Sequence, residues 1–184
     1  HAPRQPRDDD EATATEAPSP GSFDLSAIDM AEQRLLLAQI ERERRKTGDQ
    51  DIALMPREGD LLCWDAVVHG PPDTPYAGGV FRLSMKVPTE YPIAPPLVSF
   101  ITPIFHPNVH WKTGEICLDI LKTAWSPAWT LQSVCRAITA LMSCPEGDSP
   151  LNCDAGNLVR AGDLRGFASM ASMYTRKYAT GRGR

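Results

Sequence analysis

Alternating apolar and polar positions mark a run of β-strands in the middle of the chain. The alternation is regular over residues 61–69 and 81–87, and shorter apolar runs occupy 52–55 and 97–101. Period-two alternation places every second side chain on one face of the backbone, which is typical of a half-buried strand. Because these runs follow one another through short links, they predict an antiparallel four-stranded meander.

Helical spacing of apolar residues flanks this meander on both sides. On the N-terminal side, Asp29 and Glu32 have the spacing of a capping pair, and the predicted helix ends near Lys46. On the C-terminal side, helices are predicted over 131–142 and 155–160. A last helix carries an apolar stripe made of Leu164, Phe167, Ala171, Tyr174 and Tyr178. The order of helix, strands and helices predicts an α+β fold.

Composition separates the first 22 residues from the remainder. They are rich in Pro, Ala, Thr and acidic residues and include the acidic run 8–11. A segment of this kind buries too little apolar surface to order itself. We therefore predict a disordered tail over 1–22 and a single domain over 23–184, a length that suits one hydrophobic core.

Charge and cysteine usage argue against several classes of function. The net charge is −4 and the isoelectric point is about 5.6, which disfavours nucleic acid as a partner because phosphate binding needs a basic surface. No apolar run in the sequence reaches the roughly 18–20 residues that span a bilayer. The five cysteines lack C-x-x-C spacing, so the sequence predicts free thiols and no metal site.

The groups needed for acyl transfer lie close together within residues 105–121. Cys117 supplies a thiol nucleophile, Asn108 a carboxamide that can donate to an oxyanion, and Asp119 a carboxylate that can orient an attacking amine. The alternatives are an inert, buried Cys117 and an Asn108 that only braces its own loop. His106, next to a proline, is the candidate base of a cysteine hydrolase.

Several motifs of this segment and its neighbours resemble one family. HPN at 106–108, followed by ICLDIL at 116–121, resembles the active-site signature of ubiquitin-conjugating enzymes. Three further motifs lie in that family's order and are similar to its proline-rich loop, its second ligase-contact loop and its gate loop: YPIAPP at 91–96, WSPAW at 125–129 and DSPL at 148–151. The resemblance extends from about Met30 to Tyr178. It implies the ubiquitin-conjugating fold, with an N-terminal helix, a four-stranded antiparallel meander and C-terminal helices.

The resemblance also implies an activity and a set of site residues. The enzyme would accept ubiquitin as a thioester on Cys117 from the activating enzyme and pass it to a substrate nucleophile with a RING-type ligase. No metal or organic cofactor is implied, because ATP is used by the activating enzyme. Ser149 falls at the gate of the active site, and His106 and Pro107 hold the loop. Contacts with ligases and the activating enzyme would involve Arg34, Ile93, Pro127 and Ala128, and contacts with the donor ubiquitin would involve Arg136 and Ala140.

A further group of residues resembles the peroxisomal member of the family. These are the stretch 110–115, Trp129 and the stretch 154–163. This likeness implies a peripheral protein on the cytosolic face of the peroxisomal membrane, recruited by the membrane-anchored activator peroxin-22, with the peroxisomal import receptor as substrate. Two features depart from most members of the family. The segment from Asn108 to Cys117 is one residue longer, and Trp129 replaces an aliphatic residue.

Three other functions fit parts of the sequence. A general cytosolic ubiquitin-conjugating enzyme would have the same motifs. A non-catalytic binding module of the same fold typically lacks the cysteine, so Cys117 argues against it. A cysteine hydrolase needs a base oriented on Cys117, and the structural role implied for His106 argues against that reading.

Overall fold

The computed structural model describes residues 52–181, together with Ala38. Ala38 is helical, as predicted for the first helix. The predicted tail over 1–22 and the predicted contact residue Arg34 lie outside the described residues, and the division of the chain at residue 22 stays a prediction. Within the described part of the chain, every helix is too short or too polar to cross a membrane.

The strands form one antiparallel sheet in sequence order. They are β1 (Ile52–Arg57), β2 (Asp60–His69), β3 (Val80–Lys86) and β4 (Leu97–Phe100), and each pairs with the next. The predicted meander is therefore confirmed, with boundaries shifted by one or two residues. A register shift between Pro56 and Arg57 gives the β1–β2 pair a bulge.

One face of the sheet carries the hydrophobic core. Leu62, Trp64, Ala66 and Val68 of β2 point to this face and are buried, whereas the residues between them are only partly buried. Alternation of this kind follows from the period of the extended backbone. A helix, α1 (Leu131–Ser143), covers the face, and its Cys135 Sγ lies 3.9 Å from Met85 Sδ of β3. The α+β prediction is confirmed.

Two further helices close the C-terminal end of the described chain. They are α2 (Cys153–Arg160) and α3 (Leu164–Tyr174), and a π-helical turn, Thr175–Ala179, continues α3. Side chains at their N-termini accept hydrogen bonds from the first turn, Asn152 from the Ala155 N–H and Asp163 from the Gly166 N–H. These bonds satisfy backbone donors that have no partner inside the helix.

The apolar stripe predicted for the last helix is wrong at both ends. Leu164 is 62% exposed because it begins α3 beyond the core, and Tyr178 is 41% exposed. The wider π-helical turn rotates the buried face, so that Ala179 replaces Tyr178 in the interior. The middle of the stripe is correct, since Phe167 and Ala171 are buried and Tyr174 packs its ring 5.5 Å from that of Phe105.

The segment that contains the candidate nucleophile forms a tight hairpin beside β4. Val109 pairs with Ile116, and the N–H of Cys117 donates to the carbonyl of Asn108 at 2.8 Å. Gly114 turns the chain with φ +71°, and its carbonyl accepts from the N–H of Phe100 at 2.9 Å. The segment between Asn108 and Cys117 thus turns at Gly114, whose backbone is in the left-handed region. Glycine adopts this conformation readily because it has no side chain.

Replacing this glycine tests how firmly the hairpin is held. A Cβ at Gly114 would overlap the carbonyl oxygen of Phe100, whereas a Cβ at Gly59, with φ +78°, meets no heavy atom within 4 Å. We expect Gly59→Ala to lower the free energy of unfolding by ~1–2 kcal/mol from the positive φ alone. Gly114→Ala should cost a further ~1–3 kcal/mol from the steric overlap. Equal costs in chemical denaturation would contradict the tight packing of this turn.

Candidate active site

The thiol of Cys117 differs from the other cysteines in its surroundings. All five cysteines lie in the described part of the chain and are free thiols, as predicted. Burial raises the pKa of Cys135 to about 12, and burial together with the nearby Asp60 raises the pKa of Cys63. Cys117 is partly exposed at the end of the hairpin. The proposed nucleophile is therefore reachable from solvent, and the alternative of an inert core cysteine is not supported.

The side chain of Asn108 braces a distant loop. Its Nδ2 donates to the carbonyl of Glu146 at 3.0 Å, and its Oδ1 accepts from the N–H of Glu146 at 2.9 Å. The residue is only 3% exposed, and it lies opposite Cys117 in the hairpin. This differs from the alternative in which Asn108 only braces its own loop, because the partner is 38 residues away. The second hydrogen of Nδ2 takes no part in these two bonds.

His106 holds the same segment through both ring nitrogens. Nδ1 accepts from the N–H of Asn108 at 3.1 Å, so Nε2 carries the proton and donates to the carbonyl of Leu141 at 3.0 Å. The residue is 1% exposed, and its burial lowers the pKa of the imidazole to about 4. A neutral ring with both nitrogens engaged cannot act as a base on Cys117, which argues against a cysteine hydrolase.

The low pKa of His106 predicts a pH dependence of stability. The unfolded chain binds a proton near pH 6.5 and the folded chain only near pH 4, so stability falls as pH decreases through that window. The difference corresponds to roughly 3 kcal/mol at ~1.4 kcal/mol per pKa unit. His106→Gln should flatten the slope between pH 6.5 and 5 in chemical denaturation. An unchanged slope in this variant would show that the dependence arises elsewhere.

Pro107 and the predicted gate loop are joined by backbone hydrogen bonds. The carbonyl of Pro107 accepts from the N–H groups of Leu151 and Asn152, at 2.8 and 3.0 Å. Ser149, the predicted gate residue, is exposed between these contacts and the Glu146 contact of Asn108. Hydrogen bonds thus hold the predicted gate loop both before Ser149, at Glu146, and after it, at Leu151 and Asn152.

Asp119 follows the nucleophile on a short 3-10 turn, Asp119–Leu121. Its side chain is exposed, and its carbonyl accepts from the N–H groups of Lys122 and Ala124. The chain therefore turns just after Cys117, and the carboxylate of Asp119 is exposed two residues further along the chain.

The predicted ligase contacts lie on two loops that are joined to each other. Ile93 is 79% exposed, and both Pro127 and Ala128 are exposed. The indole N–H of Trp125 donates to the carbonyl of Pro92 at 2.9 Å, which holds the second loop against the first. Contact residues 34 positions apart in sequence are thereby brought to one end of the molecule.

The predicted donor-ubiquitin positions lie on the outer face of α1. Arg136 and Ala140 are both exposed and are one helical turn apart, so their side chains share a face. The helix begins at a capping box in which Thr130 and Ser133 exchange hydrogen bonds. Near the end of the same helix, the carbonyl of Leu141 accepts a hydrogen bond from the imidazole of His106. This bond connects the helix to the nucleophile segment.

Sequence reasoning missed several residues that support the site. Tyr76 is fully buried, and its hydroxyl donates to the carbonyl of Phe105 at 2.8 Å, next to His106. The Nδ1 of His110 accepts from the N–H of Thr113 at 3.2 Å and helps to order the hairpin turn. A tyrosine in a turn-rich segment is a weak signal, and neither contact follows from spacing. Among residues 52–181, no cluster of His, Cys, Asp and Glu has the arrangement of a metal site.

Comparison with known proteins places these features in one family. The sequence model of the family described as ubiquitin-conjugating enzyme matches residues 36–175. Protein PEROXIN-4 of Arabidopsis thaliana is 64% identical over 143 residues, which cover 78% of this chain and 91% of the relative. The ubiquitin-conjugating enzyme E2 pex4 of Dictyostelium discoideum is 64% identical over 130 residues, 70% of this chain and 87% of the relative.

Solved structures agree with the sequence relatives. The H. polymorpha ubiquitin conjugating enzyme Pex4p, crystallised in complex with the soluble domain of Pex22p, has a TM-score of 0.73 and 35% identity, with 82% of this chain and 99% of that chain covered. A Toxoplasma gondii ubiquitin conjugating enzyme has a TM-score of 0.72 and 33% identity, with 80% and 99% covered. The protein therefore belongs to the ubiquitin-conjugating enzyme family, and it is similar to the members named peroxin-4.

Proposed function

We propose that Cys117 carries ubiquitin as a thioester. The observation that supports this most directly is a partly exposed thiol whose backbone N–H is bonded to the carbonyl of Asn108 and which is followed, two residues later, by the exposed Asp119. The thiolate attacks the thioester carbonyl of ubiquitin on the activating enzyme, and that enzyme's thiolate leaves. In the second step a substrate amine attacks the new thioester, a C–N bond forms, the C–S bond breaks and the Cys117 thiolate is released with loss of the amine proton.

Three neighbouring side chains have proposed roles in the second step. The free amide hydrogen of Asn108 donates to the oxyanion while its other atoms hold the loop at Glu146. The exposed carboxylate of Asp119 orients the incoming amine and helps to remove its proton. Ser149 lies at the gate, where phosphorylation would add a negative charge next to Asp148. His106 and Pro107 position the segment and do not touch the substrate.

The surfaces around the site suit the partners of this family. We assign contacts with the activating enzyme and RING-type ligases to the joined loops that expose Ile93, Pro127 and Ala128. The exposed face of α1 with Arg136 and Ala140 is the proposed site for the donor ubiquitin. ATP enters the reaction only at the activating enzyme, and we propose that the chain itself uses no cofactor.

The similarity to peroxin-4 supports a more specific role. Because a 35% identical structure contains the soluble domain of Pex22p, we propose that a peroxin-22-type activator recruits this chain to the cytosolic face of the peroxisomal membrane. The proposed substrate is the peroxisomal import receptor, which would be ubiquitinated for its recycling. A general cytosolic ubiquitin-conjugating enzyme remains the second candidate, since it would share the same catalytic segment.

A charging assay separates these possibilities. The chain is incubated with activating enzyme, ATP and ubiquitin or other ubiquitin-like modifiers, with and without the soluble domain of a peroxin-22. We expect a reducible adduct with ubiquitin and a faster discharge in the presence of the activator. Charging by another modifier alone would overturn the assignment of ubiquitin. Charging without any response or binding to the activator would favour the general cytosolic enzyme.

A further inference from the structure

A groove lies beside β4 and the nucleophile segment. It has a cavity volume of about 300 Å³. Its walls come from the end of β3, from β4, and from the segment on both sides of Cys117, and the residues that line it include Lys86, Leu97, Ser99, Glu115, Ile116 and Leu121. We call this surface the β4 groove. None of these residues has a role in the chemistry described above.

The register of the strands places the β4 groove and the thiol on the same side of the sheet. Leu97 and Ser99 point away from the core, because Val98 and Phe100 between them are buried. Ser99 is bridged to Glu115, and paired residues in an antiparallel sheet project to the same side. Glu115 and Cys117 are two residues apart on an extended backbone, so their side chains also share that side.

The distance between groove and thiol suits one extended peptide. Two residues of extended chain span about 6.6 Å, which separates Glu115 from Cys117 and equally separates alternate residues of a bound substrate segment. When the attacking residue of the substrate lies at Cys117, the substrate residue two positions away therefore lies near the groove. The groove is mostly apolar, and Leu97, at 69% exposure, presents a large uncovered side chain there.

We propose that the β4 groove selects the acceptor by binding an apolar residue two positions from the nucleophile of the substrate. This inference rests on the proposed thioester function of Cys117 and adds a preference to it. Leu97 is the specificity-determining residue, because its side chain is the most exposed apolar surface of β4. The occupant is the acceptor polypeptide, since the groove is continuous with the segment that carries the reacting thiol.

Discharge to peptides tests this preference. The isolated ubiquitin thioester is mixed with peptides containing one lysine, with leucine or serine two positions before or after it, and with free lysine. We expect a leucine peptide to react about tenfold faster than the serine peptide, as partial burial of one leucine can supply that factor. Leu97→Ser should remove the difference, whereas Leu97→Met should keep it. Charging and discharge to free lysine should not change in either variant.

Matched controls separate the outcomes. Met55, 54% exposed on the opposite edge of the sheet, gives the control variant Met55→Ser, which should keep the leucine preference. Equal rates for leucine and serine peptides on the normally charged enzyme would overturn this inference alone. Loss of preference in Met55→Ser, or an equal slowing of free lysine in Leu97→Ser, would also overturn it. Failure to form any thioester would overturn the proposed function and this inference with it.

Discussion

Replacing Cys117 by alanine is expected to abolish the ubiquitin adduct completely. The reaction needs a sulfur that is reachable from solvent, and Cys117 is partly exposed at the end of the hairpin. Cys117→Ser should still accept ubiquitin slowly, but as an oxyester that resists thiol reductants. The measurement is a non-reducing gel of the charging reaction, followed by treatment with reductant.

The other exposed cysteines provide the control for this experiment. Cys144 and Cys153 are both more exposed than Cys117, so each is a competing site for nonspecific acylation. Cys144→Ser and Cys153→Ser should charge like the unmodified chain. A reducible adduct that persists in Cys117→Ala and disappears in one of these variants would show that another cysteine carries the thioester. That result would overturn the proposed mechanism.

Asn108→Ala is expected to slow transfer from the charged enzyme by about 10²–10³-fold. A lost oxyanion donor has an effect of this size, since the charge on the tetrahedral intermediate is no longer stabilised. The same variant leaves the N–H and carbonyl of Glu146 without their present partners, which should lower the free energy of unfolding by ~1–3 kcal/mol. Single-turnover discharge to free lysine and chemical denaturation report the two effects separately.

A second variant distinguishes the donor from the brace. Glu146→Pro removes the backbone N–H that donates to Oδ1 of Asn108, because proline has no N–H. The carboxamide of Asn108 is retained. If Asn108 acts as a donor, this variant should lose stability while its discharge rate falls far less than that of Asn108→Ala. Equal losses of rate in two variants that both remain folded would mean that Asn108 acts only by bracing the loop.

The local features of the fold follow from sequence because their causes are local. Alternation predicts the boundaries of β2 and β3 to within one residue, because every second residue from Leu62 to Val68 is apolar and buried. The last helix shows the limit of this reasoning. The apolar stripe matches the buried face where the helix meets the core. It fails at Leu164, which begins the helix beyond the core, and at Tyr178, which lies in the π-helical turn.

The partners of the site residues depend on tertiary structure and could not be read from spacing. Asn108, His106 and Pro107 were singled out, but each bonds to a backbone group near residues 141–152, in a segment with no pattern that points back to them. Trp125 likewise reaches Pro92 across 33 residues. Every residue has a backbone carbonyl and every residue except proline has an N–H, so a bond to a backbone group does not constrain which residue type the partner is.

The long reach of these bonds has a consequence for the newly made chain. Asn108 is 38 residues from Glu146, and Pro107 depends on the N–H of Asn152. During synthesis the cysteine therefore leaves the ribosome well before the groups that shape its surroundings. A chain that ends before residue 146 would therefore expose the Cys117 thiol without the hydrogen bonds that hold its surroundings.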